Sequence, residues 1–233
     1  MKKLFERKEM KYRLTKAQAV LLQDVLSAWL VPDAYPEYDI RSVYFDNDNW
    51  DLFRKSANKP FFKEKLRLRS YGCAVNGSDP VFLEIKKKFN GVVYKRRVDL
   101  LLKEAMAFMD QEGVHSITGM EIQWLMKHDH LRPKLSVAYH RKAWTWVDDP
   151  DLRITIDDQF SWRHSHLSLD ADERDEKLFD DDTCILEIKS SKNFPILLIR
   201  TLKELDIQKT SISKAGRAYQ LFRERDLIHY GIA

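Results

Sequence analysis

The sequence predicts an α+β fold in which amphipathic helices cover one side of an antiparallel sheet. Segments such as LRLRS and LEIKS alternate apolar with charged residues, a spacing that is typical of strands with one buried face. Between these segments lie stretches with apolar residues at helical spacing. No linker rich in proline, glycine or serine interrupts the 233 residues, so we expect a single domain over residues 1–233.

The first elements are a helix, a strand and a second, short helix. Thr15 and Gln18 have capping-box spacing, so a helix begins there, and its apolar period continues to Leu30 before VPD ends it. The segment IRSVYFDN is typical of a strand that ends in an Asp/Asn turn, and DNWDLFRKS of a short helix that is capped by Asp48 or a neighbour. Three strands of an antiparallel meander follow, at 62–71, 80–88 and 92–100, the last two joined by the hairpin signal FNG.

The rest of the chain alternates helices with further strands. Residues 103–112 predict a helix with Gly113 as its C-terminal cap, and GMEIQWLMKHDH predicts another. Strands are expected near 134–147 and 151–157, and again at TCILEIKS; the helical segments PILLIRTLKEL and KAGRAYQLFRER come after them. The acidic run at 170–182 interrupts this pattern and is predicted to be a solvated loop.

The composition excludes several classes of protein. The chain is 44% hydrophobic and 12% aromatic, which excludes a disordered protein, and its formal net charge is only +4. Cys73 and Cys184 lie far apart and outside any CxxC pair, so neither a disulfide framework nor a thiolate zinc site is indicated. The longest apolar stretches, such as PILLI, are too short to span a membrane, and we expect a soluble, cytoplasmic protein.

The charged faces of the predicted strands carry more arginine and lysine than acid. Sorted by alternation, they are Glu9, Lys11 and Arg13; Arg67 and Arg69; Glu84, Lys86 and Lys88; Lys95 and Arg97; Tyr139 and Arg141; Arg153, Thr155 and Asp157; and Glu187 and Lys189. Such faces either look out to water or converge on one another. A closed barrel lined by them would leave a channel for a multivalent anion, which would offset the repulsion among the cations. Spare carboxylates, Glu187 especially, would then hold a divalent metal that bridges phosphate oxygens.

These cationic faces favour a phosphate chain as the ligand. Arginine gives paired hydrogen bonds to phosphate oxygens, and lysine adds point charge. Proteins that bind single-stranded nucleic acid also use basic grooves, but they add exposed aromatic rings on the same face as stacking platforms. Tyr139 is the main aromatic residue on these faces, so we expect no nucleic-acid partner.

Nine motifs together resemble the VTC domain, the polyphosphate polymerase domain of the vacuolar transporter chaperone complex. In chain order they are EMKYRL, RSVYFDN, KLRLRSYG, FLEIKKK, YKRR, AYHRKAW, LRITID, LEIKS and SISKAGRAY, from about Glu9 to about Tyr219. The sequence resembles a stand-alone prokaryotic member of this family. The resemblance implies the triphosphate tunnel metalloenzyme fold, an eight-stranded antiparallel β-barrel with a basic lumen and flanking helices. It also implies an enzyme that transfers the γ-phosphate of ATP to a growing polyphosphate chain, releases ADP and uses Mn²⁺ or Mg²⁺.

The same resemblance implies roles for individual residues. The residues that would contact phosphates of the nucleotide or the growing chain are Lys11, Arg41, Arg67, Arg69, Lys86, Lys95, Arg97, Arg141, Arg153, Lys189, Ser213 and Lys214. Of these, Lys11, Arg67, Arg69 and Arg141 are the expected catalytic residues, and Glu187 resembles the metal-binding glutamate of the family. Ser213 and Lys214 resemble a Ser-Lys pair near the tunnel mouth, although an exposed lysine at a helix end stays open as the alternative for Lys214.

Two departures from related patterns keep other functions open. Hydrolases of the same fold begin with ExExK, whereas Arg7 stands here at the first acidic position, which argues against the hydrolase branch. The eukaryotic polymerase also has regulatory SPX and transmembrane parts, and we expect neither in this chain, so a separate membrane partner stays open. The alternatives to the polymerase are a triphosphatase of the same fold and a non-catalytic polyphosphate-binding module.

Overall fold

The structure is a computed structural model that describes residues 8–58, 61–90, 92–109, 116–169 and 175–229, the last without the side chains of residues 227–229. The predictions made for Arg7, for the cap at Gly113 and for residues 170–174 of the acidic run lie outside the described residues. Gly91 of the hairpin signal lies outside them as well.

The described residues form ten strands and six helices. The first part of the chain contains β1 (Lys8–Thr15), α1 (Lys16–Val25), β2 (Leu30–Asp46), α2 (Asp51–Ala57), β3 (Phe62–Tyr71), β4 (Pro80–Phe89), β5 (Val92–Leu101), α3 (Leu102–Met109) and α4 (Ile117–His128). The second part contains β6 (Arg132–Trp146), β7 (Asp149–Arg163), β8 (Glu176–Lys177), β9 (Thr183–Ser190), α5 (Ile196–Glu204), β10 (Gln208–Thr210) and α6 (Lys214–His229).

The strands form one sheet in the order β10-β1-β9-β7-β6-β2-β3-β4-β5, with β8 beside β7. The α+β class with an antiparallel sheet and flanking helices is confirmed. The eight-stranded closed barrel is wrong, because the described sheet has ten strands and its order does not close. β8 and β10, with two and three residues, are the strands that the sequence did not predict. β10 pairs with β1 from Lys11 to Arg13 and so occupies part of the edge that closure would need.

The chain forms two compact units, and the boundary between them falls within β2, β6 and β7. Unit 1 consists of residues 1–39, 139–160 and 179–212, and unit 2 of residues 40–138, 161–178 and 213–233. The single domain over residues 1–233 stays a prediction.

Unit 1 has an apolar sheet face that α1 and α5 cover. The apolar residues of β1, β7 and β9 pack against these helices in a core that contains Leu14, Ile154, Ile156, Leu186, Ile188, Leu22, Leu26, Leu198 and Leu202. The capping box at Thr15 is confirmed, since its hydroxyl accepts from the backbone N–H of Gln18 at 3.1 Å and the Gln18 side chain accepts from the Thr15 N–H at 2.9 Å. The predicted extension of α1 to Leu30 is wrong, because the chain turns after Val25 and Leu30 already begins β2.

Unit 2 contains the predicted meander of β3, β4 and β5, whose bounds agree with the prediction to within one residue. Its apolar face packs against α3 and α4 in a core that contains Val43, Phe45, Leu66, Leu68, Leu83, Ile85, Val98, Ala105, Phe108, Ile122 and Leu125. Since the helices take the apolar face, the opposite face of the meander carries the charged residues. None of the helices in the described ranges is long and apolar enough to cross a bilayer.

Candidate functional site

The charged face of unit 2 is built from rows of directly opposed residues. Three rows run across its strands: Ser42, Arg69, Phe82 and Asp99; Tyr44, Arg67, Glu84 and Arg97; and Lys65, Lys86 and Lys95. Directly opposed residues of an antiparallel pair share a face, so the side chains of these rows lie together. We call this set the unit 2 cationic face, because its lysines and arginines outnumber its two carboxylates, Glu84 and Asp99.

Glu84 is the buried centre of the unit 2 cationic face. Its side chain is 1% exposed, and its Oε2 accepts from Nε of Arg67 at 2.7 Å and from the Arg67 NH2 group at 2.6 Å. The ammonium group of Lys95 pairs with the other oxygen. Burial acts to raise the pKa of Glu84, but Arg67, Arg69 and Lys95 outweigh it and lower that pKa to about 2. The carboxylate therefore stays charged and holds two of the predicted phosphate-binding residues in place.

Tyr44 is a site residue that the sequence reasoning did not identify. Its phenol is buried, and its oxygen lies 3.3 Å from a guanidinium nitrogen of Arg67. Burial acts to raise the pKa of Tyr44, yet the charges of Arg67, Arg69 and Lys65 lower it to about 8. The surroundings of this hydroxyl therefore favour negative charge. Alternation within IRSVYFDN could have placed Tyr44 beside Ser42, but only the pairing of β2 with β3 puts it next to Arg67.

The other predicted residues of this face have different partners. Arg69 is buried, and its Nε donates to the hydroxyl of Ser42 at 3.1 Å. Arg97 pairs through Nε with Asp99 at 2.9 Å, and its guanidinium carbon lies 4.7 Å from the centre of the Phe82 ring. The structure thus brings Arg67, Arg69 and Lys95 together around Glu84, whereas Arg97 lies beside them with a carboxylate of its own.

Ser213 and Lys214 stand at the start of α6, also within unit 2. The Ser213 hydroxyl accepts from the backbone N–H of Gly216 at 3.2 Å and from the ammonium group of Lys65 at 3.3 Å. Lys214 is only 9% exposed, so the alternative of an exposed helix-end lysine is wrong. The start of a helix favours negative charge through the helix dipole, so this position is also suited to an anion.

Unit 1 has its own cluster of charged residues around Glu187, which we call the Glu187 cluster. Its carboxylate is 6% exposed and lies 3.1 Å from the ammonium group of Lys11, 3.5 Å from that of Lys189 and 3.5 Å from a guanidinium nitrogen of Arg141. The register of the strands explains the contact, since Lys11 on β1 lies directly opposite Glu187 on β9. Burial lowers the pKa of Lys189, although Glu187 and Glu9 act in the other direction.

Arg141 is held in the Glu187 cluster by a carboxylate to which the sequence reasoning gave no role. Asp157 is fully buried and accepts from Nε of Arg141 at 2.5 Å and from its NH2 group at 2.7 Å. Burial acts to lower the pKa of Arg141, but Tyr139, Asp157 and Glu187 outweigh it and raise that pKa. This paired contact fixes the plane of the guanidinium group, so that its remaining donors point in defined directions.

Glu9 and Glu187 are the carboxylates that could hold a metal ion in unit 1. The ammonium group of Lys11 lies 3.4 Å from Glu9 and 3.1 Å from Glu187, and Lys189 approaches the same two residues at 4.0 and 3.5 Å. The two carboxylates therefore converge on a position that a cation already takes. The described residues contain no group of three or more His, Cys, Asp or Glu that could hold a metal. Two carboxylates suit Mg²⁺ or Mn²⁺ when water and substrate phosphates supply the other ligands, so these residues fit a metal that binds together with phosphate.

Two predicted phosphate contacts lie outside these clusters. Arg153 lies opposite Lys189 in the sheet, but its guanidinium group pairs with Asp33. Arg41 is next to Ser42 on β2, so its side chain lies on the other face of the sheet. There a guanidinium nitrogen of Arg41 is 3.4 Å from a carboxylate oxygen of Asp175.

Asp175 also corrects the prediction for the acidic run. It accepts from the buried Arg163 at 2.8 Å, and the next two residues form β8. The described part of the run is therefore not simply a solvated loop, because its first carboxylate neutralises buried arginine.

The sequence of the chain is similar to a known domain family and to two curated proteins. Residues 6–223 match the profile of the VTC domain. The chain is 25% identical over 200 residues to vacuolar transporter chaperone complex subunit 4 of Schizosaccharomyces pombe, a match that covers 66% of this chain and 27% of that protein. Subunit 2 from the same organism is 25% identical over 150 residues, which cover 57% of this chain and 20% of that protein. The chain thus spans about a quarter or less of the length of these curated relatives.

A solved structure shows a related fold. The crystal structure of a Bacillus halodurans protein, named as a candidate adenylate cyclase, aligns with a TM-score of 0.54 at 13% identity. The alignment covers 89% of this chain and 95% of that one. At this identity the likeness concerns the fold alone.

Proposed function

Because the chain belongs to the family of VTC domains, we propose that it is a metal-dependent polyphosphate polymerase. In this reaction it transfers the γ-phosphate of ATP to the end of a polyphosphate chain and releases ADP. The observation that carries the proposal is the unit 2 cationic face, where Arg67, Arg69 and Lys95 surround the single buried carboxylate of Glu84. An arrangement with more cations than carboxylates suits a ligand that has several negative charges close together.

Phosphoryl transfer needs positioning and charge neutralisation more than covalent help from the protein. An oxygen of the terminal phosphate of the chain attacks the γ-phosphorus of ATP, the bond from that phosphorus to the β–γ bridging oxygen breaks, and ADP leaves with the electron pair. The attacking oxygen is already an anion, so the reaction needs no general base. Arg67 and Arg69 would donate to the phosphate oxygens, on which the negative charge is spread during transfer.

The Glu187 cluster adds a second set of phosphate-binding groups. Lys11, Arg141 and Lys189 would bind phosphate oxygens of the nucleotide or the chain, with Arg141 held in orientation by Asp157. A bound phosphate would also act to raise the pKa of Lys189, against the effect of its burial. Glu187, together with Glu9, would hold Mg²⁺ or Mn²⁺, which supplies further charge neutralisation to phosphate oxygens when bound.

The test is the product of ATP turnover. We expect protein, ATP and Mn²⁺ to give ADP and a long phosphate polymer, detected on gels. Orthophosphate from tripolyphosphate, without polymer, would replace the proposal by a triphosphatase of the same fold. Binding of polyphosphate without turnover of either substrate would replace it by a non-catalytic binding module.

A matched pair of variants connects the activity to the face. Arg69→Ala should abolish polymer formation, because Arg69 belongs to the unit 2 cationic face. Arg96→Ala changes an arginine on the opposite face of β5, where its partner is Glu121, and should leave polymer formation intact. Equal activity of both variants would contradict the assignment of this face.

We further propose that the protein acts in the cytoplasm, with ATP and polyphosphate as its ligands and without a nucleic-acid partner. We also propose that a separate membrane protein is a partner.

A further inference from the structure

Thr155 on β7 shares a sheet face with the Glu187 cluster. Lys11 on β1 lies directly opposite Glu187 on β9, and Thr155 lies directly opposite Glu187 on the other side of β9, so the three residues form one row across three strands. Directly opposed residues of an antiparallel pair share a face. Alternation along β7 puts Thr155 on the same face as Asp157, the carboxylate that holds Arg141. The Thr155 side chain therefore lies among the groups that we propose to bind phosphate.

The hydroxyl group of Thr155 is buried and has no hydrogen-bond partner among the described residues. The residue as a whole is 6% exposed. A buried hydroxyl without a partner destabilises the folded state, because it has given up its hydrogen bonds to water. Valine has nearly the same shape and would avoid this cost. Stability alone therefore does not account for a threonine at this position.

We propose that Thr155 is a further phosphate-binding residue, whose hydroxyl donates to an oxygen of a phosphate bound by the Glu187 cluster. The cations of this cluster are Lys11, Arg141 and Lys189. A hydroxyl adds a hydrogen bond to the same ligand without adding to the repulsion among these cations. Branching at Cβ restricts the rotamers of threonine, so that the hydroxyl keeps a defined direction. The inference deepens the proposed function and rests on the phosphate binding proposed there.

Two other partners suit the hydroxyl less well. Glu187 is the nearest carboxylate in the row, but both of its oxygens already face cations, Oε1 the ammonium group of Lys11 and Oε2 those of Lys189 and Arg141. A divalent metal is the second alternative. Carboxylates are the protein ligands that Mg²⁺ and Mn²⁺ prefer, so a metal would take Glu187 and Glu9 before a neutral hydroxyl.

The experiment is a calorimetric titration of the full chain with tripolyphosphate in metal-free buffer. Thr155→Val should weaken binding by about 10- to 100-fold, the loss expected for one hydrogen bond to a charged acceptor. Thr155→Ser keeps the hydroxyl and should bind nearly as well as the unchanged protein.

Thr183→Val is the matched control for binding. Thr183 is a threonine of β9 that is 4% exposed and stands on the same face, but four residues from Glu187, which is about 13 Å along the strand. Its hydroxyl already accepts from a guanidinium nitrogen of Arg13 at 3.1 Å. This variant should bind tripolyphosphate like the unchanged protein.

Thermal unfolding without ligand separates the proposed role from a structural one. Thr155→Val should melt at the same temperature as the unchanged protein or a higher one, because it removes a buried hydroxyl that has no partner. Thr155→Ser should melt at a lower temperature, because it removes a buried methyl group. The two variants thus change stability and affinity in opposite directions, whereas a purely structural residue would lose both together.

Three results would overturn the proposal. The first is a Thr155→Val protein that binds tripolyphosphate as tightly as the unchanged protein. The second is a clearly lower melting temperature of Thr155→Val, since the hydroxyl would then have a structural partner. The third is a loss of affinity that appears only when Mn²⁺ is present, which would assign the hydroxyl to the metal.

Failure of the proposed function gives a different result. A protein that binds tripolyphosphate through Thr155 but makes no polymer from ATP would contradict the polymerase and support the role of Thr155. An unchanged protein that binds no tripolyphosphate would overturn both.

Discussion

Replacing Glu84 with glutamine tests the electrostatics of the unit 2 cationic face most directly. The substitution keeps the size of the side chain and removes the charge that Arg67 and Lys95 share. The pKa of Glu84 falls from 4.5 to about 2 in the folded protein, a difference that corresponds to about 3 kcal/mol at neutral pH. Breaking a buried ion pair by removing one partner costs a similar amount, about 3–5 kcal/mol.

The pH dependence of this loss has a defined sign. A carboxylate with a lowered pKa in the folded state stabilises the protein above its unfolded pKa, and that contribution disappears as the pH falls through the folded value. We therefore expect Glu84→Gln to be less stable than the unchanged protein by about 3 kcal/mol at pH 7. The difference in the free energy of unfolding should shrink between about pH 5 and pH 2. Urea denaturation across this range measures it.

The same substitution should act in the opposite direction on an anionic ligand. Without the negative charge of Glu84, the guanidinium of Arg67 and the ammonium of Lys95 can both turn to a phosphate, so tripolyphosphate should bind more tightly in calorimetry. Glu121→Gln is the matched control, since Glu121 holds Lys87 and Arg96 on the other face of the meander and is 20% exposed. A Glu84→Gln protein with unchanged stability at pH 7, or with weaker tripolyphosphate binding than the control, would refute this reasoning.

Three further predictions concern other charged groups. Ultraviolet absorbance should show Tyr44 ionising near pH 8. Tripolyphosphate should raise the pKa of Tyr44, because the anion cancels the field of the nearby cations. Persistence of this titration in Tyr44→Phe would contradict the assignment. The ring nitrogens of His140 lie 2.8 Å from carboxylate oxygens of Asp39 and Glu37. Burial acts to lower the pKa of His140, but these carboxylates outweigh it and raise that pKa above 6.5. The contribution of His140 to stability is therefore complete below about pH 6.5 and is lost as the pH rises through the raised value. Thermal unfolding should therefore show His140→Asn to be destabilised at pH 6 but much less at pH 8, and a constant difference would refute this. Arg141→Lys should cost about 2 kcal/mol in urea denaturation, because lysine cannot make the paired bonds to Asp157, and an unchanged midpoint would speak against that contact.

The periodicity of the sequence predicted the meander and the composition of each charged face. Alternation alone placed Glu84, Lys86 and Lys88 on one face of their strand, since side chains change sides at every residue of a strand. The capping box at Thr15 was equally readable, because its hydrogen bonds are local. These features depend only on neighbours in the chain.

The features that the sequence could not supply depend on pairing between distant strands. That Tyr44 lies beside Arg67, and that Asp157 holds Arg141, follows from the register of the sheet and not from any local pattern. The wrong prediction of a closed barrel has the same cause. The strand that occupies part of the edge of β1 is the short β10, which pairs with β1 through only three residue pairs. The phosphate contact of Arg41 was predicted from the family motifs alone, and its position beside Ser42 puts it on the other face of the sheet.

The balance of charge separates a structural ion pair from a binding face. A structural pair that is buried needs one cation for each carboxylate, since every further buried cation carries a desolvation cost that no partner returns. On the unit 2 cationic face the directly opposed rows contain the cations Lys65, Arg67, Arg69, Lys86, Lys95 and Arg97 but only the carboxylates Glu84 and Asp99. The lowered pKa of Tyr44 agrees with this surplus, because the charges of Arg67, Arg69 and Lys65 outweigh the effect of burial on its hydroxyl. A fold that needed only stability would dilute this surplus with threonine or glutamate, so its presence around the buried Glu84 is the physical reason to expect a multivalent anion there.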